Sequence, residues 1–151
     1  MPKLNTRYFG ELEYEAEAIV EFPAGLPGFE SERQFILVDR ADLKPLVFVQ
    51  SLATPELCFP ALPVLSVLPD YKLAMTEADR EALGLPQEPR IGQDVACLAV
   101  LNVRENSTVA NLLAPLVIGL KHRRAVQAIQ AESDYSHQYE LEVPEAEAKC
   151  S

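Results

Sequence analysis

The clearest pattern along the chain is a two-residue alternation near its N-terminus. Glutamates occupy the odd positions from Glu11 to Glu17, and apolar or aromatic residues occupy the even positions from 12 to 18. A period of two is typical of a strand that is buried on one face. Since Ile19 to Phe22 continue the strand signal, we predict a hairpin here, with a bend near residues 15–17 and these glutamates on one solvated face.

A loop rich in glycine and proline follows this predicted hairpin. Residues 23–28 read Pro-Ala-Gly-Leu-Pro-Gly. Gly25 and Gly28 can adopt positive φ, whereas a proline such as Pro27 has a fixed φ and no N–H to donate. We therefore predict an irregular loop, and we expect Phe29 at its end to anchor it to the core.

Short apolar runs, separated by turn signals, fill most of the remaining chain. Residues 34–38, 46–52, 95–103 and 116–120 each predict a strand. Residues 57–67 predict two short extended pieces, because Pro60 and Pro63 interrupt the run and proline is disfavoured inside a sheet. Residues 125–130 fit a helix as well as a strand.

One short helix is indicated near residues 77–83. Thr76 can serve as its N-cap and Gly84 as its C-terminal stop. The whole pattern predicts a mainly β fold, a small single-domain barrel or sandwich of short strands with this one helix. We expect residues 1–143 to form the domain and the polar, acidic residues 144–151 to form a flexible tail.

The charge balance narrows the class of partner. The chain carries 23 acidic and 13 basic residues, a formal net charge of −10. Nucleic acids and anionic membranes would repel such a chain, whereas a basic protein would be attracted and would associate faster. The alternative is that the acidity serves solubility alone. No apolar run approaches the roughly 20 residues of a membrane helix and the N-terminus lacks a secretory apolar segment, so we expect a cytoplasmic protein.

No catalytic or metal-binding pattern emerges from the sequence. His122 and His137 are not in a metal-ligand spacing, and both are expected at the surface. Cys58 and Cys97 lie in apolar runs and are expected to be buried, whereas Cys150 in the tail is expected to be an exposed free thiol. We therefore predict a binding protein without a cofactor or metal and not an enzyme.

The cluster Lys121-His122-Arg123-Arg124 is the one basic run of the sequence. It fits a solvated turn, and it also fits a contact with an acidic partner. The sequence alone leaves both interpretations open.

Two segments resemble the flagellar assembly factor FliW family. They are residues 22–30, which read FPAGLPGFE, and residues 111–118, which read NLLAPLVI. Residues 6–10 (TRYFG), 50–52 (QSL) and 69–71 (PDY) follow the same family order. The resemblance spans about residues 5–142 and favours a strand over residues 125–130. Gly119, where the family usually has asparagine, and the additional Pro60 depart from the family pattern.

The resemblance implies a partner-switching function. Similar proteins bind cytoplasmic flagellin before export and also bind CsrA, a basic RNA-binding repressor of flagellin translation. Export of flagellin then frees the factor to capture CsrA and relieve repression. We expect this chain to act through these partners, without direct contact to nucleic acid or membrane, and to be monomeric when free. The alternatives are a small-molecule-binding β-barrel and a chaperone for another exported subunit.

The resemblance also suggests which residues matter. Exposed aromatic and acidic side chains would anchor a basic partner. The expected partner-contact residues are Tyr8, Glu11, Glu13, Glu30, Asp70 and Tyr71. The expected structural residues of the family motifs are Gly25, Pro27, Gly28, Phe29, Asn111 and Pro115. For Asn111, bracing a turn through its side chain is the alternative to touching a partner.

Overall fold

A computed structural model describes residues 2–26 and 28–141 of the chain. The described residues contain eleven strands and two short α-helices. The strands are β1 (Lys3–Thr6), β2 (Gly10–Glu13), β3 (Val20–Glu21), β4 (Gln34–Asp39), β5 (Val47–Ser51), β6 (Cys58–Pro63), β7 (Val95–Val103), β8 (Thr108–Ala110), β9 (Leu116–Gly119), β10 (Ala125–Gln127) and β11 (Tyr139–Glu140). The helices are α1 (Val64–Val67) and α2 (Glu77–Leu83), and 3₁₀ turns occupy Ala16–Ala18 and Ala41–Leu43. The expectations for Pro27, for Cys150 and for a tail over residues 144–151 lie outside the described residues.

Nine of the strands form one antiparallel sheet. Its order is β10-β9-β7-β6-β5-β4-β3, and β8 pairs with both β7 and β11. The two edges of this sheet approach each other, since the N–H of Glu21 donates to the carbonyl of Arg123 at 2.8 Å. A single bridge is no continuous ladder, so the described strands form a strongly curved sheet and not a closed barrel. The mainly β, single-domain expectation is confirmed.

The central strand β7 divides the core into two layers. Val95, Cys97 and Ala99 face one hydrophobic cluster, whereas Leu98 faces the other. Because successive side chains of a strand point to opposite faces, a strand buried on both faces must be apolar at nearly every position. This explains the apolar run of residues 95–101, whereas Asn102 and Val103 at the end of the strand are exposed. The bounds of the observed strand, Val95–Val103, are those predicted.

The prolines of β6 do not break it, contrary to the prediction of two extended pieces. One strand contains both Pro60 and Pro63, and the second predicted piece is instead the helix α1. Hydrogen bonds in an antiparallel ladder go to the left and to the right of a strand at alternate residues. By this alternation the nitrogen of Pro63 points toward β5, and β5 has ended there, since its first residue Val47 lies opposite Ala61. Proline therefore costs no ladder bond at this position.

The hairpin predicted near the N-terminus is also wrong, because the strands pair differently from the prediction. β2 contains only the first half of the glutamate alternation, and it pairs with the preceding β1 in a separate two-stranded ribbon. Glu15 and Glu17 lie at the following 3₁₀ turn. Residues 15–17 are all exposed, so the glutamate alternation does not mark a half-buried strand beyond β2, and a period of two was an incomplete guide to the element.

The predictions for the other strands and for helix α2 are confirmed. Strands occupy the predicted positions near residues 34–38, 46–52, 116–120 and 125–130. Thr76 caps the N-terminus of helix α2, since its hydroxyl accepts a hydrogen bond from the N–H of Asp79 at 3.1 Å. Gly84 caps the C-terminus of the helix. In the described part of the chain, no helix is long and apolar enough to cross a membrane.

Candidate protein-binding surface

The loop of residues 22–30 is built on the buried Phe22. Its ring packs edge-to-face against Phe35 at 5.4 Å, and its carbonyl accepts the N–H of Gly25 at 2.9 Å. Gly25 has a φ of 70°, and a side-chain carbon there would collide with the backbone of Glu30. Glycine is thus required at position 25 for two independent reasons, close approach and positive φ.

The end of this loop turns back to the body of the protein. The N–H of Phe29 donates to the carbonyl of Leu26 at 2.7 Å, and the ring of Phe29 contacts Phe59 edge-to-face at 5.6 Å. Phe29 nevertheless remains 42% exposed. The expected anchor to the core is therefore partial, because one face of the ring is left to solvent.

Residues 111–118, the second family-like segment, form a tight turn that leads into β9. The carboxamide oxygen of Asn111 accepts the N–H of Ala114 at 3.0 Å, so its side chain braces the turn. Pro115 is buried and its carbonyl accepts the N–H of Ala128 at 2.9 Å, and Leu112 is fully buried. This segment is therefore held at both ends, next to the end of β10.

An open groove of about 310 Å³ forms where these two segments meet. Its floor and walls are apolar and come from Leu26, Phe29, Phe59, Val100 and Leu116. The loop supplies one wall, β6 and β7 supply the floor, and β9 closes the far end. Two sequence segments about 80 residues apart are thus joined in one surface feature.

Polar but uncharged side chains surround the rim of this groove. They are Asn102, Asn111, Gln127, His137 and Gln138. Gln127 donates to the carbonyl of Ala114 at 3.0 Å, which orients its amide. The described residues that line the groove include no Asp, Glu, Lys or Arg, although the chain carries a net charge of −10. The rim can exchange hydrogen bonds with a peptide backbone, and it offers little to a charged ligand.

The β1–β2 ribbon carries three of the expected contact residues. Tyr8 at its turn is 59% exposed, and the guanidinium of Arg7 lies 5.7 Å from the centre of its ring. Lys3 lies 3.5 Å from the carboxylate of Glu11 and 3.8 Å from that of Glu13. Lys3 therefore offsets part of the negative charge on this ribbon, and each exposed pair contributes little to stability.

The two residues of the turn at 69–71 that were expected to contact a partner differ in their exposure to solvent. Asp70 is exposed, but Tyr71 is only 5% exposed. The Tyr71 hydroxyl donates to the carbonyl of Leu112 at 2.6 Å, and its ring stacks on Tyr135 at 4.2 Å. Burial raises the pKa of Tyr71 above its usual 10, with smaller contributions from Cys97 and Tyr135. The expectation of an exposed aromatic anchor at Tyr71 is therefore wrong.

A buried carboxylate, which the sequence did not reveal, supports the loop from behind. Glu32 is 8% exposed and accepts hydrogen bonds from the hydroxyls of Ser51, at 3.0 Å, and Thr54. The Ser51 oxygen in turn accepts the N–H of Thr54 at 3.0 Å. This network ties the chain after the Gly-Pro loop to the β5–β6 connection, while Glu30 remains exposed.

The described cysteines and histidines form no reactive or metal-binding group. Burial raises the pKa of the Cys58 thiol to about 11 and that of Cys97 to about 12, so both thiols stay protonated at neutral pH. In residues 2–26 and 28–141, no three His, Cys, Asp or Glu side chains are placed to hold a metal ion. His122 and His137 are both exposed.

The groove residues were largely missed by sequence reasoning. Among the lining residues, the sequence motifs point to Phe29 and Asn111. Phe59 and Asn102 lie in ordinary strands and carry no local signal, since only the pairing of β6 with β7 brings them beside the loop. The surface therefore combines motif residues with residues that become neighbours through the sheet.

Comparison with known proteins gives one consistent result. A family model described as FliW protein matches residues 3–141. The flagellar assembly factor FliW of a Geobacillus species is 36% identical over 149 residues, covering 97% of this chain and 99% of the relative. The Syntrophomonas wolfei protein of the same name is 32% identical over 142 residues, covering 94% of this chain and 90% of the relative.

A solved structure agrees with these sequence relatives. A crystal structure of the flagellar assembly factor FliW matches this fold with a TM-score of 0.82 at 35% identity. The match covers 95% of this chain and 99% of that chain.

Proposed function

Because this chain belongs to the FliW family of flagellar assembly factors, we propose that it binds flagellin in the cytoplasm and, alternately, the RNA-binding repressor CsrA. While flagellin occupies the protein, CsrA remains free to repress flagellin translation. Export of flagellin then releases the factor, which captures CsrA and restores translation. The protein acts by binding in this mechanism, and it catalyses no reaction.

The match to the family over nearly the whole chain carries this proposal. The charge distribution supports the repressor half of it. Glu15, Glu17 and Glu21 are exposed, and none of them forms an ion pair with another described residue. Unpaired carboxylates in a chain of net charge −10 produce a field that accelerates the approach of a basic protein.

The experiment uses the purified full-length chain with CsrA and flagellin from the same cell. Size-exclusion chromatography should show a complex with each partner, and added flagellin should displace CsrA from its complex. The chain alone should not shift a flagellin leader RNA in a gel, whereas adding it to a CsrA–RNA complex should release the RNA. If the chain forms a complex with neither CsrA nor flagellin, the proposal is contradicted.

The alternative of a chaperone for another exported subunit predicts a different result. Proteins that co-purify with the chain from its own cell would then include that subunit in place of flagellin. Mass spectrometry of the co-purified fraction distinguishes the two. Light scattering of the free chain in the same experiment tests the expectation that it is monomeric.

A further inference from the structure

The apolar groove described above differs from the rest of the surface in charge. Its twelve lining residues include no Asp, Glu, Lys or Arg. A charged side chain buried there would find no counter-ion, and burying an unpaired charge is strongly unfavourable. The complementary occupant is therefore an uncharged, apolar segment, and a strongly basic surface would gain nothing in the groove.

Beside the groove, the hydrogen-bond ladder between β6 and β7 stops before the end of β7. The pairing of β6 with β7 ends where Ala61 lies opposite Val100. The carbonyl of Val100 accepts the N–H of Asn111 at 2.9 Å, so Val100 points toward β8. By strand alternation, the backbone groups of Leu101 and Val103 then point toward β6.

Proline explains why the ladder stops at this point. The residue that would face Leu101 in the same register is Pro60, which has no N–H to donate. The edge of β7 from Leu101 to Val103 is therefore unpaired on the β6 side in the observed register. An extended peptide can add to such an edge through main-chain hydrogen bonds.

The unpaired edge of β7 favours an extended occupant over a helix, because an extended segment has backbone N–H and C=O groups free to pair with that edge, whereas a helix bonds its own. The groove is open and has a volume of about 310 Å³. It accommodates apolar side chains of an extended segment, while the amides of Asn102 and Gln138 on the rim, which make no side-chain hydrogen bond to another described residue, are available to its backbone.

We propose that this groove binds an extended, uncharged segment of the exported subunit, which adds to the β7 edge and packs an apolar side chain against the rings of Phe29 and Phe59. This inference rests on the proposed function and locates one of its two interactions. In this proposal the basic repressor contacts the acidic surface outside the groove, and bound flagellin displaces it because the whole subunit extends beyond the groove.

The test introduces a charge into the groove of the full-length chain. Asn102 lines the groove and is exposed, so Asn102→Arg blocks the hollow without disturbing the core. Asn106, in the turn between β7 and β8, is also exposed but does not line the groove, so Asn106→Arg is the matched control with the same change of residue and charge. Calorimetry with purified flagellin and with CsrA measures both affinities, and thermal unfolding confirms that each variant is folded.

We expect Asn102→Arg to weaken flagellin binding at least about tenfold, and to leave CsrA binding within about twofold. Asn106→Arg should change neither affinity beyond about twofold. Unchanged flagellin affinity in folded Asn102→Arg would overturn the groove assignment while the proposed function stands. If the unaltered chain binds neither partner, the proposed function itself fails.

Hydrogen exchange tests the extended conformation separately. In the flagellin complex, the amides of Leu101 and Val103 should exchange at least about tenfold more slowly than in the free chain. The amide of Val117 in the covered strand β9 serves as the internal control and should not change. Unchanged exchange at Leu101 and Val103 in a saturated complex would overturn the edge-addition model.

Discussion

At the scale of single residues, burial decides the role of a polar side chain. Tyr71 and Glu32 are both buried and both hydrogen-bonded, whereas Asp70 and Glu30 beside them in sequence are exposed. Residue type suggested a partner contact for Tyr71 and nothing for Glu32. The structure reverses this ranking, because a buried polar group must satisfy its hydrogen bonds internally and so becomes part of the framework.

Replacing Glu32 tests the support behind the Gly-Pro loop. Glu32→Gln removes a charged acceptor of two hydroxyl hydrogen bonds, and the free energy of unfolding should fall by about 1–3 kcal/mol. Glu30→Gln, at an exposed position, should change it by less than about 0.5 kcal/mol. Urea unfolding measures both, and equal effects of the two substitutions would refute the structural role of Glu32.

The buried Tyr71 hydroxyl predicts a loss of stability at alkaline pH. Its pKa is raised on folding, so its contribution is complete below pH 10 and is lost as the pH rises toward the folded pKa. Cys58 and Cys97 act in the same direction from about pH 9, because burial also raises their pKa values. The free energy of unfolding should therefore fall as the pH increases above about 9.

Tyr71→Phe isolates the tyrosine part of this alkaline loss. The variant should be less stable at pH 7 by about 1–2 kcal/mol, since the carbonyl of Leu112 loses its donor, and its decline above pH 10 should be shallower. Tyr8→Phe, at a 59% exposed position, should change the free energy of unfolding at pH 7 by less than about 0.5 kcal/mol. Parallel profiles for Tyr71→Phe and the unaltered chain would show that Tyr71 does not contribute.

At the scale of elements, the geometry of strand pairing explains why the sequence pattern predicted β7 correctly and predicted a break in β6 wrongly. The apolar run of β7 predicts a central strand because both of its faces are covered. The prolines of β6 suggested a break, yet Pro63 places its nitrogen where no neighbouring strand is present. A proline is therefore informative about a strand only once the register of its neighbours is known.

Alanine substitutions at Gly28 and Gly25 test the geometry of the Gly-Pro loop, and the second should destabilise the protein more than the first. Gly28→Ala introduces only the strain of a positive φ, since open space surrounds the new carbon, and should cost about 1–2 kcal/mol. Gly25→Ala adds a collision with the backbone of Glu30 and should cost about 3 kcal/mol or more. Thermal unfolding compares the two, and a Gly25→Ala protein no less stable than Gly28→Ala would show that the loop can rearrange.

At the scale of the whole molecule, charge is distributed around an uncharged groove. The ribbon glutamates Glu11 and Glu13 lie beside Lys3, while Glu15 beyond the ribbon is exposed and forms no ion pair with a described residue. A field of this kind affects the association rate more than the final affinity. The acidic surface therefore suits the approach of a basic partner, and the groove suits a neutral segment.

Charge reversal tests this steering. Lys substitutions at Glu11, Glu13 and Glu15 change the net charge from −10 to −4, since each adds two positive charges. Stopped-flow measurement should show CsrA association slowed by about three- to tenfold at low salt, with the difference lost near 0.5 M salt. An unchanged association rate at low salt would contradict the steering and would favour the alternative that these glutamates serve solubility alone.

A matched variant separates local from overall charge. Lys substitutions at the exposed Glu88, Glu105 and Glu132 make the same change in net charge away from the ribbon. If the ribbon region directs the encounter, this variant should associate with CsrA faster than the first. Equal rates for the two variants would assign the steering to the net charge of the molecule as a whole.

The sequence by itself determined the family, the mainly β class, most strand positions and the caps of helix α2, because these depend on local pattern and on contiguous motifs. Tertiary structure alone decided the partner of β2, the burial of Tyr71 and Glu32, and the meeting of residues 22–30 with residues 111–118 at the groove. These features depend on which strands pair and in what register. Such contacts join residues far apart in the chain, and no local pattern encodes them.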